Sequence, residues 1–166
     1  QLLLACEKSL AGFPVDYAVI DTETTGFARN DDLIWNFALF RVRAGRPEEL
    51  QNLVFDWTHE SVAAVVDAAW LRRKIDKQQT AMAERGRQSK LTLTALKSGL
   101  PPLDGMRKML QLLDDARLAD LPFVGHGIIN FDIPRIAFQL EEWLGVRWRF
   151  GRHKVIDTAA LEKSLV

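Results

Sequence analysis

The 166-residue chain has one cysteine, Cys6, so no disulfide can close within it and a reducing compartment is expected. It has no net charge: 22 basic residues balance 22 acidic ones. A nucleic-acid surface, if present, must therefore come from local clustering rather than from the overall balance. No apolar run approaches the length of a membrane span, and no membrane partner is expected. The opening "QLLLAC" lacks the basic region and the length of a signal peptide, so the expected location is cytoplasmic or nucleoid-associated, not secreted. An initiating methionine is also missing. With Gln1 first, the chain is expected to be a piece of a longer protein. There is no internal repeat and no low-complexity tract.

What is present is 48% hydrophobic residues with 27% charge, enough for one domain with its own core. Residues 16–21, "DYAVID", read as a buried strand, and 32–43 and 50–57 as two more. The links between them are short, so an antiparallel meander is expected. Residues 61–84 carry Val62, Val65, Val66, Ala69 and Ile75 at helical spacing. A helix is expected over 103–119, with Met106, Met109, Leu110 and Leu113 on one side. A strand follows at 121–127, then a helix at 132–144 with Pro134 in its first turn and Gly145 at its C-terminal end. The last helix starts at Asp157, a natural N-cap. The order implies an α/β domain with a mixed sheet flanked by helices. Residues 1–13 are expected to be an N-terminal extension of this single domain and 58–90 a basic helical insertion.

The stretch "VIDTETTGF", residues 19–27, places Asp21 and Glu23 two apart on one strand, so both point to the same face. Like charges at the end of a buried strand repel and resist desolvation. In "GHGIINFDIPRI", residues 125–136, Asp132 stands where the later strand gives way to a helix. If the two strands are neighbours, Asp132 faces Asp21 and Glu23. Three carboxylates without a local cationic partner suit hard divalent ions such as Mg²⁺. Two such ions about 4 Å apart stabilise the attacking and leaving oxygens of a phosphodiester.

These two stretches resemble the first and second motifs of the DnaQ-like (DEDD) 3′→5′ exonucleases, whose fold is RNase H-like. "NFDIP" is also similar to the proofreading domains of B-family DNA polymerases. The resemblance covers most of residues 14–166, with its longest departure at about 58–90. It implies a three-stranded antiparallel meander continued by parallel strands. It implies that Asp21, Glu23 and Asp132 are catalytic and hold two Mg²⁺ or Mn²⁺ ions. Thr24, Thr25, Gly26 and Phe27 would lie against the 3′-terminal nucleotide, with His126 and Asn130 as further substrate contacts. The implied reaction is hydrolysis at single-stranded DNA ends, releasing nucleoside 5′-monophosphates. An exoribonuclease, or a non-catalytic DEDD-like module that binds nucleic acid or docks within a larger protein, are the alternatives. The expected partner is a single strand with a free 3′ end. A polymerase, repair or CRISPR assembly is a further candidate.

Two departures stand out. His126-Gly127 replaces the usual His-Asn of the second motif, and no clear third motif follows. His153 and Asp157, in "HKVID", are the nearest candidates for a general base and a fourth metal ligand. Their alternative roles are a phosphate-contacting surface residue and a helix cap. The third motif is expected beyond Val166. Of the five tryptophans, Trp148 between Arg147 and Arg149 is the candidate for stacking on a base. Seven Lys and Arg lie between Arg72 and Lys90, a cluster that reads either as a solvated helix face or as a phosphate track.

Overall fold

The computed structural model describes residues 14–28, 31–150 and 154–164. Cys6 and His153 lie outside them. The first strand, β1 (Tyr17–Thr24), alternates cleanly. Ala18, Ile20, Thr22 and Thr24 are buried on one face, while Asp21 is exposed and Glu23 half-buried on the other. It pairs antiparallel with β2 (Ile34–Arg43), from Tyr17 opposite Val42 to Glu23 opposite Asn36, with a bulge between Glu23 and Thr24. A two-residue strand, β3 (Arg46–Pro47), and β4 (Gln51–Val54) both pair with β2. On the other side β1 pairs in parallel with β5 (Phe123–Gly125), and β5 with β6 (Val155–Asp157). The result is the expected mixed sheet, a meander extended by parallel strands.

The helices differ from expectation in two places, at residues 61–67 and in a short helix at Leu93–Lys97. The helical pattern expected from residue 61 is broken: a 3₁₀ turn at Glu60–Val62 precedes α1 (Ala68–Glu84). The cause is capping chemistry. His59 caps the first turn through the amide of Ser61, and the Asp67 carboxylate accepts from the Trp70 amide at 2.5 Å. Val62, Val66 and Ile75 are buried as expected, whereas Val65 is 73% exposed. A short helix α2 (Leu93–Lys97) follows, then α3 (Pro102–Leu118), α4 (Asp132–Leu144) and α5 (Thr158–Ser164). Gly145 ends α4 in the left-handed conformation, φ 67°. Among the described residues no helix is long and apolar enough to cross a membrane.

The core lies between the buried face of β1, β2 and β5 and the helices α3 and α4, with Phe37, Leu39, Met106, Met109, Leu113 and Ile136 fully enclosed. Trp148 belongs to this core rather than to a stacking surface. It is 5% exposed, contacts Phe123 and Phe150, and donates its indole N–H to Asp114 at 3.0 Å. Packing is close where Gly105 of α3 meets Phe55. A Cβ at position 105 would stand 2.5 Å from the Phe55 ring. Gly105→Ala is therefore expected to lower stability by about 1–3 kcal/mol, although alanine is the better helix former by about 1 kcal/mol. Urea unfolding checks this, and a gain in midpoint would contradict the packing described.

Candidate active site

β1 and β5 pair only at Ala18–Phe123 and Val19–Val124. Beyond that point the strands part and the edge of β1 needs another partner for its amides. Asp132, the first residue of α4, supplies it. Its Oδ1 accepts from the Thr22 amide at 2.9 Å and from the Thr22 hydroxyl at 2.6 Å. Thr22 lies between Asp21 and Glu23 in sequence, so the second motif is fastened to the first at its centre. The contact ties Asp132 to the residue between the two strand acids.

The electrostatics follow from the packing. Burial pushes the Asp132 carboxyl up to about 6, the charge on Asp21 adds to the rise, and the Thr22 bonds oppose it. Glu23 is also raised, first by burial and then by Asp21, against a lowering influence from Lys90. Asp21 thus acts on both of its neighbours. Among the described residues no three His, Cys, Asp or Glu side chains converge closely enough to form a ready metal cage. The donor chemistry nevertheless fits a hard divalent cation: the half-buried Glu23 and the buried Asp132 are both held above their usual range, each in part by the charge of Asp21, and Lys90 offsets the rise at Glu23.

Two hollows meet at Glu23. One, on the open face of the sheet, is lined by Asp21, Glu23, Trp35, Asn36, Asn52 and Lys90, with a volume of ≈ 350 Å³. The other, ≈ 510 Å³, lies between the turn after β1 and helix α1. Thr24, Thr25, Gly26 and Phe27 all line it, together with Phe131. Phe27 is 88% exposed and meets the Phe131 ring edge-on at 6.1 Å. An exposed aromatic beside a cleft suits base stacking.

The turn is held by residues that sequence reasoning passed over. The buried Asp32 carboxylate accepts from the Thr25 hydroxyl at 3.0 Å, the Ala28 amide at 2.7 Å and the Lys74 ammonium at 2.7 Å. Gly26 is required by that carboxylate, since a Cβ there would lie 2.5 Å from Asp32 Oδ2. From α4, Arg135 donates to the Phe27 and Phe131 carbonyls and lies over the Phe131 ring, while Gln139 donates to the Asp32 carbonyl at 3.0 Å. Asp132, Arg135 and Gln139 fall at i, i+3 and i+7, one helical face. Three polar residues on one helical stripe, among the apolar Ile133, Ile136, Phe138 and Leu140, were the available signal.

The remaining candidates lie on the turn after β5. His126 and Asn130 are exposed there, and His126 Nδ1 is 3.3 Å from the Thr158 hydroxyl. Asp157 accepts from the amides of Gly127 at 2.8 Å, Ile129 at 3.2 Å and Ala159 at 3.0 Å. Burial alone would raise its pKa, but these amides hold it below the usual carboxylate range. Here Asp157 is both the cap of α5 and the staple of the Gly127–Ile129 turn.

No protein-family model matches the chain, and no curated protein matches it. Solved structures do. A structure of exonuclease I aligns over 91% of the chain at 13% identity, with a TM-score of 0.61. An exonuclease I from Methylocaldum szegediense aligns over 90% at 16% identity, TM-score 0.62, and E. coli exonuclease I in complex with a dA16 oligonucleotide over 91% at 13%, TM-score 0.61. The fold is RNase H-like. The chain spans 29–30% of the length of these structures. Identity this low shows shared architecture and no more.

Proposed function

We propose that the chain is the nuclease domain of a divalent-metal-dependent 3′→5′ exonuclease acting on single-stranded DNA ends and releasing nucleoside 5′-monophosphates. The observation that supports this reading is the Asp132–Thr22 contact, which ties Asp132 to the residue between Asp21 and Glu23, with the charge of Asp21 acting on both of the other acids. The shared fold with exonuclease I, one structure of which holds a dA16 oligonucleotide, supports it.

Asp21, Glu23 and Asp132 would hold the metal ions. Bound there, Mg²⁺ or Mn²⁺ supplies charge stabilisation and an activated water. The chain's own residues do the rest. Thr24–Phe27 and Phe131 seat the terminal nucleotide, and Arg135 and Asp32 keep that seat rigid, so the scissile bond is presented to the acids in one geometry. His126 and Asn130, exposed on the turn after β5, would be further strand contacts. The free 3′ end is the partner, inside whatever larger polypeptide or repair, polymerase or CRISPR assembly carries the domain.

A second reading, a DEDD-like module that binds strands without turning them over, draws on one observation: the acids do not close into a cage among the described residues. Asp21→Ala separates the two. In the full-length protein with Mg²⁺, a 5′-labelled single-stranded oligonucleotide is expected to shorten stepwise with wild type. The variant should lose more than about a hundredfold in rate. Equal rates refute the assignment; no shortening by wild type, with binding retained, favours the module. An RNA oligonucleotide in the same assay distinguishes the exoribonuclease.

A further inference from the structure

Helix α1 lies in the stretch that departs most from the family pattern, yet it forms a wall of the cleft. Its Lys74, Lys77, Gln78, Ala81 and Met82 all line the ≈ 510 Å³ hollow. They recur at i, i+3, i+4, i+7 and i+8, a single helical face. Leu71 and Ile75 anchor the helix in the core. Lys74 reaches across to Asp32 of the opposite wall at 2.7 Å, so helix and turn are tied together. Lys77 is exposed, lines the same hollow one turn on, and makes no ion pair among the described residues.

We propose that α1 is the second wall of the strand-binding cleft and that Lys77 takes a backbone phosphate of the bound single strand. This rests on the nuclease reading above and adds to it a part of the site supplied by this chain's own insertion. The charge layout argues for it. Glu23 stands at one end of the hollow and would repel phosphates that are not metal-bound. A strand entering the hollow needs neutralisation on the opposite wall, and Lys77 is the cation there not already neutralised. Phe27, 88% exposed, offers a face to bases, and Ala81 and Met82 line the same hollow with apolar surface.

The test is fluorescence anisotropy of a 5′-fluorescein-labelled dT octamer on the full-length protein, with chelator present so that the probe survives. Removing one phosphate contact to a single strand lowers the salt slope by about 0.7, which is about eightfold in affinity at ~50 mM salt. Lys77→Ala is expected to show both changes, Lys77→Arg to restore affinity, and Lys108→Ala, on α3 outside the cleft, to show neither. If Lys77→Ala binds like wild type while Phe27→Ala binds more weakly, this inference is overturned and the nuclease reading stands. If wild type does not bind the probe, both are overturned.

Discussion

Asp132→Asn is expected to abolish nuclease activity and, in metal-free buffer above pH 7, to make the protein more stable than wild type. The two effects share one cause. The carboxyl is 2% exposed and its pKa is lifted from 3.8 to about 6, chiefly by burial. A group whose folded pKa is raised holds its proton more tightly in the folded state. Its stabilising contribution is complete below pH 3.8 and is lost as pH rises through about 6. A shift of about 2 units corresponds to roughly 3 kcal/mol, an upper figure for what ionisation of Asp132 removes at pH 8. Asparagine keeps an Oδ1 to accept both Thr22 bonds and carries no charge. At pH 4, where wild type is largely protonated, the two proteins should melt together. At pH 8 with EDTA the variant should melt higher, by several degrees. Adding Mg²⁺ should raise wild type preferentially, because binding to the folded state stabilises it and asparagine weakens the site. A variant that melts lower than wild type at pH 8 in EDTA would mean that Asp132 is not strained, and the functional reading would lose its electrostatic support.

The same residue shows what could be read from sequence. "DTETTG" and "NFD" carry chemistry at strand and helix ends, and the alternation of β1 and the Met106–Met109–Leu113 stripe of α3 are periodic signals that burial follows directly. Local caps are harder to weigh against periodicity: Asp67 starts α1 seven residues later than the apolar pattern begins. Long-range polar contacts are harder still. Thr22 reaches Asp132 across 110 positions and Arg135 reaches Phe27 across 108, and no local spacing encodes either. Trp148 misled because flanking arginines look like a nucleic-acid surface, while the indole itself turns inward to Asp114. Asp32 was hidden at the start of the expected second strand, although its side chain is as buried as the core around it.

Asp32→Ala is expected to cost about 2–4 kcal/mol in stability and at least tenfold in kcat/KM, although Asp32 does not line up with the three acids. Its removal leaves the Ala28 amide and the Thr25 hydroxyl without their acceptor, each worth about 1–3 kcal/mol when buried, and water entering the gap recovers part of that. The Lys74 side chain is 26% exposed but that of Asp32 only 2%, so Lys74→Met leaves a buried carboxylate with the Thr25 and Ala28 donors and no counter-charge, and should cost about 1–3 kcal/mol. Activity falls because Thr25, Gly26 and Phe27 no longer hold one geometry, and misplacement of a substrate seat is felt in kcat/KM. Gly26 provides the decisive control. Gly26→Ala in wild type drives a Cβ to within 2.5 Å of the Asp32 carboxylate and should destabilise by about 1–3 kcal/mol. In the Asp32→Ala background that carboxylate is gone, so the same substitution should be nearly neutral. A double-mutant cycle by urea unfolding reads the difference as a coupling of about 1 kcal/mol or more. Strictly additive costs would mean that Gly26 answers to something other than Asp32, and that the turn beside the acids is held in place by other contacts.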